Sequence, residues 1–441
     1  MTSTAFVGVT VIPMDRPGPV SGRTVVTDGD RITAIGPSSG IELAEGTTVI
    51  DGAGRYLLPG LADMHVHLGM WDPDPGHLAL YLAEGTTVVR CLSGSITNAR
   101  WRDQVRAGEL IGPTILTSGP TIIGGIDGGD DELAKLPIVQ PGSVAEVIDE
   151  VRAQAAGWAD LIKVYDGLAP DVYLAAIETA KAEGMYVTGH LLDELPLDDI
   201  AAAGLDEVAH LDELNYHHWR GTPDQPGFAL DWDAIPATAR LLAETGMTVV
   251  SNLSADESMA ELLADTDRVL ARPEYRVVRP EVMAAWRHGR QTGVFEGQGP
   301  YRRDLELPFF KALLDGLRSA GVRILVGTDT SPLVEGAVPS KIHRELELLV
   351  ESGHSPFEAL TAATVNAADV VADMGRDGGF GRIVPGHRAD LLLLGGNPLD
   401  DIGQTRNRVG VMARGTYHTQ QRLDELLGRY LAGHAPTGVG R

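Results

Sequence analysis

The apolar rhythm of this chain changes twice. Over the first 56 residues, "AFVGVTVIP", "GRTVVTDGDRITAIGP" and "GTTVIDGAGRYLLPG" mix Val, Ile and Thr with polar positions and are cut by Gly, Asp and Pro, which predicts short strands joined by tight turns. Eight short apolar runs follow: "LLPGLADMHV", "TTVVRCLSG", "PTILTSGP", "DLIKVYDG", "MYVTGHLL", "DEVAHLDE", "MTVVSNLS" and "RILVGTDTS". Helical patterns separate several of them, among them "SVAEVIDEVRAQAAG", "DVYLAAIETAKAEG" and "LPFFKALLDGLRSAG", with Gly184 and Gly321 as stops. Eight strands alternating with helices predict an α/β fold, a (β/α)8 TIM barrel. The long interval 255–322 is read as an insertion over the barrel mouth.

Beyond the barrel the strand texture returns in "GRIVPGHRADLLLLGGNP" and "RVGVMARGTYH". Leu423, Leu426, Leu427, Tyr430 and Leu431 then fall at helical spacing and predict an amphipathic closing helix. Neither β-rich end is long enough for its own core. They are expected to meet in one small β-sandwich, residues 1–58 with 381–441, flanking a barrel over 59–380.

Composition narrows the function. The chain has 441 residues, 43% hydrophobic and 22% charged, with a net charge of −25. That charge argues against nucleic-acid and anionic-membrane partners. Cys91 is the single cysteine, so an intrachain disulfide or a thiolate metal cluster is excluded. The start "MTSTAFVGVTVIPMD" lacks the basic-then-apolar pattern of a secretion signal, and no run of about 18 apolar residues predicts a membrane span. A cytoplasmic protein acting on a small molecule, as a homo-oligomer, is the expectation.

In a barrel, chemistry gathers at the carboxyl ends of the strands. The first run ends in His65 and His67, the fourth carries Lys163, the fifth ends in His190, the sixth in His210 and the eighth in Asp329. Each has an ordinary reading taken singly, as a core histidine, a capping aspartate or a snorkelling lysine. Six such groups at equivalent places on five strands point instead to a shared site. Residues i and i+2 of a strand face the same way, so His65 and His67 can grip one ion. Neutral imidazole suits zinc, with manganese, iron or nickel as alternatives. A second divalent ion needs an anionic bridge, and a buried Lys163 that has reacted with carbon dioxide (N6-carboxylysine) supplies one while removing a costly buried ammonium. A bridging hydroxide would complete such a centre, because metal binding brings the pKa of water down to about 7.

"GLADMHVHL", "LIKVYDG", "VTGH", "VAHLDE" and "VGTDTS" resemble the strand-end motifs of the amidohydrolase superfamily. "SGHSPFEALTAATVNAADVV" followed by "GRIVPGHRADLLLL" and "GNPLDDI" resembles the closing region of its imidazolonepropionase-like and prolidase-like branch. The resemblance covers nearly the whole chain. It implies that His65 and His67 hold one metal with Asp329, that His190 and His210 hold the second, and that carboxylated Lys163 bridges them. It further implies that Asp329 shuttles a proton from the bridging water to the leaving nitrogen. The expected reaction is hydrolysis of an amide C–N bond, in a dipeptide or N-acyl amino acid by preference. A lactam or imidazolone, a carbamate, and an ester or organophosphate are the alternatives, and a non-catalytic binding protein is the remaining one.

One departure from that pattern is that Leu191 and Leu192 follow His190, where several dipeptidase-like relatives place a small residue and then a substrate-touching group. Tyr165, on the same side as Lys163, is then a candidate oxyanion partner, as are Tyr216, His217 and His218 in "NYHHW", a segment that also reads as a polar loop with an aromatic anchor. Arg90, Arg220, Arg302 and Arg303 are candidate partners for a substrate carboxylate, and His343 for the substrate. "TIIGGIDGGDDE" lacks the Lys of a phosphate-binding loop and is read as a mobile loop near the mouth.

Overall fold

The computed structural model describes residues 3–69, 74–125, 137–221, 227–292, 303–330 and 338–433. Most of "TIIGGIDGGDDE" and Arg302 lie outside them, as does the side chain of Arg303.

The two β-rich ends share one eight-stranded sheet. Its order is Thr416–Thr419, Arg408–Ala413, Leu391–Leu394, Tyr56–Pro59, Ser3–Val11, Val20–Asp28 and Arg31–Pro37, with Thr48–Asp51 also paired to Ser3–Val11. The junction is the antiparallel pair Tyr56–Pro59 and Leu391–Leu394, registered from Tyr56 opposite Leu394 to Pro59 opposite Leu391. Leu57, Leu391, Leu393 and Met412 close a core with Phe6, Val9 and Val25, so each end buries the apolar face of the other.

"LLPGLADMHV" is two strands rather than one. Tyr56–Pro59 belongs to the terminal sheet and Leu61–Val66 to the α/β unit. The break falls at Gly60, where an added Cβ would stand 2.3 Å from the Thr87 hydroxyl. A side chain there would push the second strand away.

In the α/β unit, Leu61–Val66, Thr86–Cys91 and Thr114–Thr117 form a parallel sheet. A second sheet includes Ile162–Val164, Val187–Gly189, Glu207–Val208, Thr248–Val250 and Ile324–Leu325 in that order, all parallel. Single parallel bridges link the two sheets at both ends, Ser118 with Leu161 and Val66 with Thr330. Helices lie between most strands, including Val144–Ala156, Pro170–Ala182, Ile235–Thr245 and Arg303–Ala320. Every residue of these strands but Thr114 is buried, as expected of parallel strands covered on both sides. The interval 255–322 is helical where described, in Leu253–Leu270, Pro280–Thr292 and Arg303–Ala320. The first two pack Val269, Val282 and Trp286 around Tyr275 and Val338. The closing helix Gln420–Gly433 buries Leu423 and Tyr430 and lies against Leu78–Ala83. Among the described residues no helix is long and apolar enough to cross a membrane.

Candidate metal centre

His65 is the fifth residue of Leu61–Val66 and His67 follows the strand. Their Nε2 atoms lie 3.3 and 2.8 Å from Oδ1 of Asp329. Asp329 is aimed by an unusual backbone. Its φ of 49° is left-handed, a conformation that costs a non-glycine residue on the order of 1 kcal/mol or more. Its N–H donates to the His65 carbonyl at 2.9 Å. Behind it, buried Asp63 accepts from the backbone and hydroxyl of Thr328 at 3.0 and 2.6 Å. The eighth strand end is thereby tied to the first.

Rings link the remaining groups. His210 stands 4.4 Å from His65 and 4.7 Å from His190, centroid to centroid. Burial holds His65 and His210 well below the usual histidine range, with neighbouring positive or imidazole groups adding to the effect. Neutral imidazole is the form that ligates metal. His190 differs. Burial alone would lower it, but Glu213 at 2.9 Å and Asp166 together outweigh burial and raise it to about 9. Its Nδ1 faces both Glu213 and, at 3.2 Å, Asp166. Glu213 also accepts the Leu191 N–H at 3.0 Å. These carboxylates fix the His190 ring and leave Nε2 for a ligand, as outer carboxylates do for metal-binding histidines. His65 donates Nδ1–H to Ala209 O at 3.0 Å, with the same consequence.

Lys163, within Ile162–Val164, is 1% exposed and its Nζ has no hydrogen bond. Burial pulls it down to about 8, against the pull of Glu213 and Asp329. The Nε2 atoms of His65 and His190 are likewise buried without a hydrogen bond. An unsatisfied buried polar group costs about 1–3 kcal/mol, so three in one place fit a cavity built to hold cations. Two ligand sets are within reach of an ion: His65, His67 and Asp329, and Asp166, His190 and Glu213.

The structure brings His65, His67, Lys163, His190, His210 and Asp329 together, with Tyr165 stacked on His190 at 3.7 Å between centroids. It does not bring Arg90 or His343 to them. Arg90 is corrected: it is fully buried, donating to both carboxylate oxygens of Glu207 at 2.9 and 2.5 Å and to Met64 O at 2.8 Å. No face remains for a substrate. His343 is corrected too. It is 1% exposed and packed against Thr405, Glu84 and Arg408, on the side of the terminal sheet. Tyr216 is exposed and packs edge-on against Trp219; neighbouring His217 is partly buried. His218 spends both nitrogens on Asp231 O and Thr238, and Arg220 pairs with Asp231 at 2.6 Å in solvent. Leu191 and Leu192 are buried in the core.

Several groups had no role in the sequence reading. Asp166, Glu213 and Asn252 stood inside the quoted runs "LIKVYDG", "VAHLDE" and "MTVVSNLS". The Asn252 carboxamide lies 3.1 and 3.0 Å from Nδ1 of His65 and His210. Turned with its oxygen toward His210, it accepts Nδ1–H and leaves that ring's Nε2 free. Beside His67 a cleft opens, walled by Leu80, Val278, Val282 and Val338, with Arg279 among its lining.

The family model described as the amidohydrolase family matches residues 56–417, and the chain belongs to that family of hydrolases. An imidazolonepropionase from Rubrobacter xylanophilus is 26% identical over 418 residues, 86% of this chain and 88% of that protein. Two adenine deaminases match over shorter stretches: one from Rhizobium meliloti at 45% identity over 11% of this chain, one from Paracoccus denitrificans at 29% over 39%. The chain spans only 8% and 29% of their lengths. A solved Xaa-Pro dipeptidase with methionine bound in its active site shares the fold, with a TM-score of 0.70 and 22% identity, covering 95% of this chain and 100% of that one. The imidazolonepropionase likeness agrees with the branch to which the motifs pointed, and the dipeptidase shares the fold.

Proposed function

We propose that the chain is a metal-dependent amide hydrolase with dipeptides or N-acyl amino acids as substrates. In this reading its eight parallel strands close as a (β/α)8 barrel, and two divalent ions, zinc first, are held at the strand ends. The observation that carries it is the meeting of the buried, unbonded Lys163 Nζ, His65 Nε2 and His190 Nε2 beside the Asp329 carboxylate. His65, His67 and Asp329 would hold one ion, and His190 and His210 the other. The bridges Val66–Thr330 and Ser118–Leu161 support closure.

Bound divalent ions polarise a carbonyl and acidify water. The chain supplies the rest. With a pKa near 8, Lys163 keeps a share of neutral amine near neutral pH, the form that adds to carbon dioxide. The resulting carbamate would put an anionic oxygen donor where the ammonium was, between the two ligand sets. Burial would raise Asp329, but the imidazoles of His65 and His67 outweigh it and hold the carboxylate ionised. It can take a proton from the attacking water and return it to the leaving nitrogen. Arg279 faces the cleft beside His67 and is placed to meet a substrate carboxylate, with the apolar wall taking the adjoining side chain.

The test is a hydrolysis screen of the zinc-loaded protein with dipeptides, N-acyl amino acids, their C-terminal carboxamides and lactams. Turnover of the carboxylates, with carboxamides at least tenfold poorer in kcat/KM, is expected. Metal-loaded protein that cleaves no carboxylate-bearing amide would refute the reading.

A further inference from the structure

A second feature lies at the other end of the strands. Between the α/β unit and the terminal sheet is a cavity of about 300 Å³ that reaches the starts of the second, third and fourth strands at Val88, Thr114 and Asp160. Five arginines line it: Arg102, Arg106, Arg376, Arg388 and Arg414. In a chain of net charge −25 such a concentration of cations calls for a reason.

The wall carboxylates do not answer it. Asp160 is shared by Arg102 at 2.9 Å and Arg376 at 3.0 Å. Asp377 and Asp30 face Arg31 at 3.1 and 3.7 Å. Arg388 is 7% exposed; its Nε pairs with Asp390, its guanidinium lies 5.0 Å over the Phe380 ring, and its buried Nη2 has no hydrogen bond. The Arg414 guanidinium donates to two neutral acceptors, Gly112 O at 3.1 Å and Thr114 Oγ1 at 3.3 Å, while its backbone N–H donates to the Asp390 carboxylate at 2.7 Å. Its backbone is left-handed, φ 46°, followed by Gly415 at φ 77°. Such a two-residue hairpin turn favours Asn, Asp or Gly at its first position. Arginine held there at a conformational cost marks a constraint beyond the turn itself.

We propose that this cavity binds a small organic anion bearing a phosphate or carboxylate head. The head meets Arg388 and Arg414, whose planar forks match two oxygens of such a group. The organic body lies on the apolar floor of Val105, Leu116, Val371 and Phe380. Arg388 and Arg414 belong to the C-terminal segment, whereas Arg102 and Arg106 ride on the helix Ile96–Ala107. A bound anion therefore ties the terminal sheet to the α/β unit and raises the melting temperature of the whole chain.

The test is calorimetric titration of the full-length, metal-loaded protein with inorganic phosphate and, separately, citrate, in chloride buffer. Arg388→Lys keeps a cation beside Asp390 and removes Nη2. Saturable binding of at least one anion is expected, weakened at least tenfold by Arg388→Lys, with the anion-free hydrolytic rate of that variant unchanged. Phosphate alone binding identifies a phosphoryl ligand, citrate alone a carboxylate. No saturable binding of either overturns the proposal. Equal affinity in Arg388→Lys also overturns it and assigns the anion to the metal centre. If Arg388→Lys does not fold, Arg106→Ala on the exposed rim decides: severalfold weaker binding supports the site and wild-type affinity overturns it.

Discussion

At the residue scale, what could be read from the sequence was residue type at a strand end, and what could not was direction. His65, His67, Lys163, His190, His210 and Asp329 are ligand-type groups at positions where a parallel strand gives out, and the fold brings them to one place. Arg90 occupies a comparable position by sequence, yet its side chain turns inward to Glu207, 117 residues away. Nothing local to "TTVVRCLSG" announces that partner. Glu213 and Asp166 were visible as letters, but their task of fixing His190 is set by a contact between strand ends. Lys163 is the residue whose environment says most. Lys163→Ala should lose most bound metal by elemental analysis and at least a hundredfold in kcat, with partial rescue by millimolar acetate or propionate. Rescue follows because a small carboxylate can occupy the space of the absent carbamate. Full metal content with undiminished turnover would remove Lys163 from the centre.

At the element scale, strand and helix types followed from apolar periodicity, while the boundary at Gly60 came from packing against Thr87, which no periodicity encodes. Two contacts between elements make measurable predictions. Arg90 and Glu207 join the second and sixth strands as a buried pair, with Tyr186 and Thr188 also donating to Glu207. Arg90→Met strands a buried carboxylate and should destabilise the protein by about 3–5 kcal/mol in urea unfolding. Adding Glu207→Leu should recover part of that loss, although it also strips Tyr186 and Thr188 of their acceptor. A single variant as stable as wild type would contradict the pairing.

His343 opens the helix Lys341–Glu351. The Thr405 hydroxyl already donates to Ile402 O, so it accepts Nδ1–H of His343, and Nε2 accepts from Arg408 at 2.9 Å. Burial lowers the pKa of His343 below 6.5, and Arg408 adds to this against the opposing pull of Glu84. Below pH 6.5 the unfolded chain binds a proton that the folded chain refuses, so stability is fully present above 6.5 and falls as pH drops toward the folded pKa. Relative to wild type, His343→Gln should flatten the decline in urea midpoint between pH 6.5 and 5. Parallel profiles would show that His343 does not contribute.

At the scale of the whole molecule, the first sheet meets the second along two seams. One joins the third and fourth strands, through Asp160 N–H to Thr117 O at 2.8 Å and Gly119 N–H to Leu161 O at 3.3 Å. The other joins the first and eighth, through Met64 N–H to Val326 O at 2.8 Å, Asp329 N–H to His65 O at 2.9 Å and His67 N–H to Thr330 O at 3.1 Å. The ligand set His65, His67 and Asp329 straddles this second seam and, among the described residues, has no counterpart at the first. An ion held there acts as a clasp between the two sheets, and its removal should be felt on one side only. After chelation, amide exchange at Met64, His67 and Asp329 should accelerate, while Asp160 and Gly119 keep their wild-type protection. The melting temperature should fall as well, since an ion at a hundred times its dissociation constant contributes about 2.7 kcal/mol. Equal acceleration at both seams would mean that metal stabilises the fold globally without clasping it. No change at either would mean that these three side chains hold no ion, and the proposed hydrolytic centre would fall with them.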